Sequence, residues 1–487
     1  MNYYKTLTLC IAFFFCHSSS VYAQGDNNYK RLTGDFQAQN AALEGINSRY
    51  KTILQNLPTD YKDEYKALYK DMQAEKIKHV KNEAYIFNDT IQKYFAEILA
   101  EIKRGNPSIP VASIPFYVSR DFSPNAATSL DGSITFNMAL VASCKNESQV
   151  AFVICHELAH HQLKHPHKSV KKMFDMLYSK RGQDKLKEIA KSEYNTYEQA
   201  EAYLKTAVYD NRRHGRDYEE QADSLAVKYL LNTRYNPKES AACLLMLDQI
   251  DSLIYTPNFD LTSVFSTPQY KFKKSWIEEE ETMFSSGKRV FEGEFNKDSL
   301  KTHPSCVKRA ALAINYCKNL ATLSNINNPQ SDALFDGLRS KAEYETLIAA
   351  YDSDNIDYCL FQTLKSLQNH PNNIFLIALV GQCLNTVYEG QKTHTLSKLV
   401  AIPTKTQSKG YLPFLRFLNS MSLGEIASVN YQYLSKQDKN LLTDAFFLYN
   451  ILVAAKNAGQ QADFKLYKSM YLKSFKNGFH ADKVSKM

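Results

Sequence analysis

The chain has 487 residues, of which 44% are apolar and 23% are charged, and its formal net charge is +8. A chain of this length is too long for one ordinary domain, and its composition is globular, not disordered. The basic residues lie among nearly as many acidic ones, so the charge predicts a solvated surface and argues against a nucleic-acid-binding patch.

The first residues have the pattern of a secretory signal peptide. Lys5 precedes an apolar run from Leu7 to Cys16, and small residues then lead to Ala23, after which we predict cleavage. The run is too short to cross a bilayer, which needs roughly 20 apolar residues, and no later segment is long enough. The sequence therefore predicts an exported protein without a transmembrane span, in the periplasm or outside the cell, with a bacterial periplasm as the expected compartment.

Seven of the nine cysteines lie beyond this signal peptide, which is an odd number for an exported chain. Irregular spacing leaves the pairing open, and candidate disulfides include Cys306 with Cys317 and Cys359 with Cys383. No paired C-x-x-C units are present, which excludes a zinc finger.

The sequence up to residue 137 predicts helices followed by a β-hairpin. Residues 29–104 are rich in lysine and glutamate, with apolar residues at helical spacing, and the pattern ends at Gly105. In residues 114–137, Asp131-Gly132 stands between two short β-prone runs, which is a strong hairpin signal.

The next predicted helix carries most of the chemistry. It opens with a capping box at residues 146–149 and ends before Pro166. His156 and His160 are four residues apart, so both rings leave the same helix face and can bind one metal ion. Glu157 borders that face, where it can accept a proton from water. Together they form the H-E-x-x-H pattern of zinc peptidases.

A catalytic zinc ion usually has three protein ligands, so one more must come from elsewhere. The metzincin pattern needs Gly and His where this chain has Leu163 and Pro166, so it is excluded. Another arrangement takes a glutamate from a second helix and, one turn later, an aspartate that holds a ligand histidine. Glu219 and Asp223 offer this in the helix at 216–230, whose packing stripe contains two small alanines. An exposed acidic helix start would also explain Glu219.

The other histidines of the cluster are not predicted to bind a metal ion. His161, His165 and His167 surround the proline that ends the helix, and no glutamate follows His161 as it follows His156. We expect them to form an exposed basic turn.

The chain beyond residue 254 begins with a long irregular segment and ends in helices. Residues 255–300 are polar and contain the only tryptophan, and a loop of this length predicts a lid or a partly disordered segment. Residues 355–388 and 445–471 each contain two amphipathic stretches around a turn. These pairs predict a tetratricopeptide-like array, although the full repeat signature is absent.

H-E-L-A-H followed by E-E-Q-A-D-S-L-A resembles family forty-eight of the metallopeptidases, which includes the CAAX prenyl endopeptidases, HtpX and the periplasmic BepA group. Two more stretches are similar to family motifs, P-N-A at residues 124–126 and T-H-P-S-C-V-K-R at residues 302–309. Glu220 stands where the family carries an aromatic residue. The resemblance covers about residues 80–325, and the helices after it favour the soluble exported branch.

The resemblance implies a zinc endopeptidase with one Zn²⁺ per subunit. The implied residues are His156, His160 and Glu219 as zinc ligands, Glu157 and His303 in catalysis, Asp223 and Arg309 as partners of the ligands, and Asn125, Ala126 and Ala127 in substrate binding. Of these, Arg309 is expected to be a structural ion-pair partner and not a catalyst.

We therefore predict a mostly α fold with a small β-sheet, an α+β gluzincin peptidase domain followed by an α-helical, tetratricopeptide-like domain. The predicted division is a signal peptide at 1–23, a helical segment at 24–79, the peptidase domain at 80–335 and the helical repeats at 336–487. The predicted partners are a protein or peptide substrate and a protein bound to the repeats. A chaperone or scaffold with a latent protease site is the alternative, and a structural zinc domain is disfavoured because the ligands are not thiolates.

Overall fold

The computed structural model describes residues 29, 31–192, 195–253, 255–256, 259–278, 306–318, 333–405 and 407–487. The chain forms two compact units. Of the described residues, the motif unit contains those between 32 and 250 and between 306 and 343, and the helical unit contains those between 29 and 31, between 251 and 278 and between 344 and 487. The predicted signal peptide and His303 lie outside the described residues.

The motif unit combines helices with one small sheet. Its strands are β1 (Phe116–Ser119), β2 (Ala126–Thr128) and β3 (Ile134–Asn137). The described helices up to residue 352 are α1 (Phe36–Gln55), α2 (Lys62–Lys81), α3 (Asp89–Gly105), α4 (Met138–Ser143), α5 (Glu147–Gln162), α6 (His165–Tyr178), α7 (Lys180–Ala190), α8 (Thr196–Leu231), α9 (Glu239–Leu253), α10 (Leu261–Phe265), α11 (Cys306–Lys318) and α12 (Ala333–Asp352). All of them except α10, which belongs to the helical unit, lie wholly or partly in the motif unit. Of these, α9 and α12 begin in the motif unit and extend past its boundary.

The sheet has the strand order β1-β3-β2, with β1 parallel and β2 antiparallel to β3. The β2–β3 pair is the predicted hairpin, so that prediction is confirmed. Its turn needs Gly132, whose φ of +80° is unfavourable for a residue with a Cβ.

Strand β2 lies at the edge of the sheet, and no other strand of the described residues pairs with its outer side. Asn137 donates its backbone N–H to Asn125, and Ser129 donates to Ser133. In an antiparallel ladder the bonded residues alternate, so the backbone groups of Ala126 and Thr128 point away from β3.

Helix α5 begins and ends where the sequence predicts. The Asn146 side chain accepts a hydrogen bond from the backbone N–H of Gln149 at 3.1 Å, and the Gln149 side chain accepts one from Lys145 at 2.9 Å. The helix ends at Gln162, ahead of Pro166, which lies in the first turn of α6. Helices α5 and α8 pack closely, because Ala222 and Ala226 of α8 are fully buried and small.

The N-terminal helices are tied to the hairpin by a buried polar network. Lys76 on α2 donates a hydrogen bond to the Ser133 hydroxyl at 2.9 Å, and Ser133 donates to the Asp131 carboxylate at 2.7 Å. Lys76 and Asp131 are also an ion pair at 3.8 Å, and both are buried. Residues 32–79 therefore belong to the same compact unit as α5, although the sequence divides them at residue 79.

The helical unit contains the described part of the segment that the sequence predicts as a lid. Phe265 stacks on Phe417 with ring centroids 5.1 Å apart, and Trp276 is buried beside the same ring. Lys273 forms an ion pair with Glu425 at 2.5 Å. Besides α10, the helices of this unit are α13 (Ile356–Asn369), α14 (Ile374–Lys392), α15 (Tyr411–Ser420), α16 (Leu423–Ser435), α17 (Ala445–Asn457), α18 (Gln461–Ser474) and α19 (Ala481–Ser485).

The mostly α fold with a small sheet is confirmed, while the tetratricopeptide-like character of the C-terminal helices stays a prediction. The compact units follow other boundaries than the predicted domains. Leu338 and Ala342 are buried in the main core of the motif unit, beyond the predicted boundary at residue 335. The described residues between 251 and 278, predicted within the peptidase domain, belong to the helical unit.

All seven cysteines beyond the predicted signal peptide are buried and unbonded. The pairing of Cys306 with Cys317 is wrong, because both lie on α11 and eleven residues of helix separate them by about 16 Å. The sulfur atoms of Cys359 and Cys383 are 3.6 Å apart. Across the described ranges, no helix has both the length and the apolar composition needed to cross a membrane.

Candidate metal centre

Three side chains predicted as metal ligands converge between α5 and α8. The Nε2 atoms of His156 and His160 are 3.0 Å apart. The Glu219 carboxylate reaches both rings, with one oxygen 3.5 Å from His156 Nε2 and the other 3.3 Å from His160 Nε2. The packing of the two helices thus brings together residues that are up to 63 positions apart in the chain.

The spacing of these donor atoms fits a tetrahedral metal ion. Donor atoms at roughly 2.1 Å from such an ion stand about 3.4 Å from one another. The three separations in this site lie on either side of that value, and three donors leave a fourth position for water or substrate. Among the residues that the structure describes, this is the group of ligating side chains that could hold a metal ion.

A buried carboxylate and a buried guanidinium support the triad. Asp223 lies one turn after Glu219, and its Oδ1 atom is 2.9 Å from Nδ1 of His156. Arg309 on α11 donates to both oxygens of Asp223, at 2.5 Å from Nε and 2.9 Å from Nη2. Its Nη1 atom is 2.8 Å from Glu219, so one guanidinium fixes both carboxylates. Orienting contacts of this kind fix the ring nitrogen that a ligand histidine presents to a metal.

The charges of the site are strongly coupled. Burial alone would lower the pKa of His156, but its hydrogen bonds to Asp223 and Glu219 outweigh burial and raise the pKa to about 10. Burial alone would raise the pKa of Glu219, but His156, His160 and Arg309 hold it well below the usual 4.5. The carboxylates of Asp223 and Glu219 thus favour the protonated form of the His156 ring. Negative charge concentrated in this way is what a divalent cation needs from a site.

Glu157, the predicted proton acceptor, is buried and held by an edge-strand residue. Its Oε2 atom accepts a hydrogen bond from the Thr128 hydroxyl at 2.7 Å, and its backbone oxygen lies 2.8 Å from the same hydroxyl. Only 7% of Glu157 is exposed. Strand β2 therefore contacts the proposed base directly, a connection that local sequence patterns did not indicate.

A cavity of about 240 Å³ joins the triad to the edge strand. The predicted substrate residues Asn125, Ala126 and Ala127 line one side of it, together with Thr128. The other walls are largely apolar, formed by Leu140, Phe152, Val153, Leu244 and Leu247, and the polar lining comes from the triad, Glu157 and Arg309.

His165 is not in an exposed turn, so that prediction is wrong. Only 2% of it is exposed, and its Nδ1 atom is 3.0 Å from Nδ1 of His160. Burial and the neighbouring His160 lower the pKa of His165 to about 4. His161 is half-buried and His167 is exposed, so only the latter fits the predicted turn.

The structure brings together all the predicted site residues that it describes. Their roles in binding and catalysis stay predictions, as does the catalytic role of His303, which lies outside the described residues. Sequence reasoning missed Thr128 and misassigned His165. The position of His165, five residues after a ligand histidine and beside a proline, was the available signal for the second of these.

Residues 88–315 match the model of peptidase family M48, and a search of curated proteins found no similar protein. The matched range contains the triad, Glu157, Asp223, Arg309 and strand β2. Members of this family are zinc-dependent peptidases, in agreement with the donor geometry. Through residues 88–315, the chain belongs to peptidase family M48.

Proposed function

We propose that the protein is a zinc-dependent metalloendopeptidase that hydrolyses extended or misfolded protein segments. One observation carries the proposal: His156, His160 and Glu219 converge beside Glu157 in a cavity that runs along an edge strand. The triad would hold one Zn²⁺ per subunit. Glutamate as the ligand from a second helix makes this a site of the gluzincin type.

A zinc ion in this site would polarise a water molecule and the scissile carbonyl. Glu157 accepts the proton of the attacking water and donates it to the leaving amine. The Thr128 hydroxyl keeps the Glu157 carboxylate turned towards the cavity. Asp223 holds His156, and Arg309 holds Glu219, so the ligands are oriented before substrate arrives.

The free side of β2 supports an extended substrate. The backbone groups of Ala126 and Thr128 point away from β3, so a peptide can add a strand there through main-chain hydrogen bonds. Asn125, Ala126 and Ala127 would contact this peptide, and the apolar walls would accept its side chains. Folded domains rarely offer a free extended segment, so unfolded or misfolded chains are the expected substrates.

The signal-peptide pattern at residues 1–23 supports export, and we place the protein in the periplasm, in the soluble exported branch of the family, with a role in envelope protein quality control. The C-terminal helices would recruit a protein partner in the manner of a repeat array. His303 would lie close to the metal and contact water or the tetrahedral intermediate. A chaperone function with a latent protease site is the alternative, and it predicts that hydrolysis is dispensable.

The test uses the purified chain and two variants, Glu157→Gln and Glu219→Gln. Zinc content is measured by elemental analysis, and hydrolysis is measured with an unfolded protein substrate. Glu157→Gln should keep zinc and lose roughly 10²- to 10⁴-fold in activity, because only the proton acceptor is removed. Glu219→Gln should lose zinc together with activity.

Glu220→Gln is the matched control, since Glu220 is the adjacent, exposed residue on the same helix. It should keep both zinc and activity. Full activity of Glu157→Gln, or a wild-type chain that binds no zinc, would overturn the proposed function. Full function of Glu157→Gln in a deletion strain would instead favour the chaperone alternative.

A further inference from the structure

His165 occupies an unusual position between the two helices that carry the triad. Its Nδ1 atom lies 3.0 Å from Nδ1 of His160, the ring nitrogen that faces away from the triad. Its ring stacks on Tyr218, with centroids 4.3 Å apart and planes 12° apart. Tyr218 directly precedes Glu219, so His165 touches one ligand and the residue before another.

The backbone folds back to place His165 there. Helix α5 ends at Gln162, and Lys164 adopts a φ of +56°, which is the left-handed conformation that reverses a chain after a helix. Helix α6 then begins at His165, with Pro166 in its first turn. A continuous helix would turn residue 165 away from residue 160, so the break between α5 and α6 creates the contact.

We propose that His165 is a positioning residue that accepts a hydrogen bond from Nδ1–H of His160 and thereby fixes the ring for metal binding. This inference rests on the proposed function. An imidazole that binds a metal through Nε2 carries its proton on Nδ1. His165 must then present a lone pair at its own Nδ1 and carry its proton on Nε2.

The two ligand histidines therefore have different partners. His156 faces the carboxylate of Asp223, whereas His160 faces a second imidazole. A neutral acceptor orients the ring without adding a negative charge next to Glu219 and Asp223. The stack on Tyr218 holds the plane of the accepting ring, so that its lone pair stays directed at His160.

The test is zinc affinity, measured by competition with a chromogenic chelator, together with the visible spectrum of the cobalt-substituted protein. His165→Phe keeps a flat ring for Tyr218 and removes the acceptor. We expect it to bind zinc 10- to 100-fold more weakly and to change the cobalt spectrum, because His160 is no longer held. His165→Gln offers an amide oxygen as acceptor and should bind zinc more tightly than His165→Phe.

His167→Phe is the matched control, since His167 is exposed in the same helical turn, and it should leave zinc affinity unchanged. If the Phe variant does not fold, His165→Gln is compared with His165→Met, which has a similar length and no strong acceptor. Equal zinc affinity for His165→Phe and the wild type would overturn the inference. An equal loss of zinc affinity in His165→Gln and in the variant without an acceptor, His165→Phe or His165→Met, would also overturn it. Absence of zinc from the wild-type chain would instead contradict the proposed function.

Discussion

Asp223→Asn tests the support of the metal centre most directly, because it changes charge with little change in shape. The carboxylate contacts His156 through Oδ1 and Arg309 through both oxygens. An asparagine keeps one acceptor, but its amide group donates where Arg309 also donates. The substitution therefore places the asparagine amide donor next to the Arg309 guanidinium donor, and both positions are buried, with Asp223 5% exposed and Arg309 3% exposed.

The structure supports two separate magnitudes. Removing one partner of a buried ion pair costs about 3–5 kcal/mol of folding free energy, and Arg309 retains Glu219 at 2.8 Å, so we expect about 3 kcal/mol. Loss of the orienting contact to His156 should weaken zinc affinity 10- to 100-fold, or about 1.4–2.7 kcal/mol. The first effect belongs to the metal-free protein and the second to metal binding.

The assays are urea unfolding of the metal-free protein and chelator competition for zinc. Glu220→Gln, an exposed carboxylate on the same helix, is the control and should change neither measurement. The double variant Asp223→Asn with Arg309→Met should lose less stability than the sum of the losses in the two single variants, because the asparagine amide then no longer faces the buried guanidinium of Arg309. Unfolding and zinc affinity that both match the wild type in Asp223→Asn would refute this reasoning.

Thr128→Val should lower kcat with little change in KM, because the Thr128 hydroxyl that holds the Glu157 carboxylate is removed. Thr128→Ser keeps this hydroxyl and should keep kcat near the wild-type value. Equal activity of the Val variant and the wild type would contradict this reasoning. The metal-free protein should lose stability as the pH rises from 6.5 to 10. The pKa of His156 is raised to about 10 in the folded protein, so the protonated ring stabilises the fold fully below pH 6.5 and progressively less as the pH rises towards 10. Urea unfolding at several pH values measures this, and constant stability would disagree. Gly132→Ala should destabilise the fold by about 1–2 kcal/mol, because the φ of Gly132 is positive. Gly215→Ala is the control and should not destabilise the fold, because the space around an added Cβ is open there. Thermal unfolding of the two variants measures the difference.

The two histidines of the candidate metal centre could be predicted because they depend on short-range pattern. Four-residue spacing places His156 and His160 on one face of a helix wherever that helix lies. Glu219 was a candidate partner because the same helix carries Ala222 and Ala226, which allow close packing, and the resemblance to family forty-eight then assigned it as a ligand. Helical periodicity and residue size can be read from the sequence alone, and they have the same effect wherever the helix lies in the folded chain.

The missed features depend on contacts between distant residues or on a single backbone angle. His165 reads as part of an exposed turn because nothing in its neighbours announces that Lys164 will reverse the chain. Thr128 contacts Glu157 only after the hairpin packs on α5. The contact between Trp276 and Phe417 could not be predicted because the two residues are far apart in the sequence. None of these contacts leaves a periodic signal.

The contact between Arg309 and Glu219 also bears on coordination number. A carboxylate can bind a metal through one oxygen or through two. Arg309 occupies Oε2 of Glu219 at 2.8 Å, while Oε1 remains the atom nearer to His160 Nε2. In the proposed zinc site, this contact would favour ligation through Oε1 alone and so would keep the number of protein donors at three. A bidentate carboxylate would fill the position that water must enter, so the guanidinium on α11 would help to keep the proposed zinc site open to reaction.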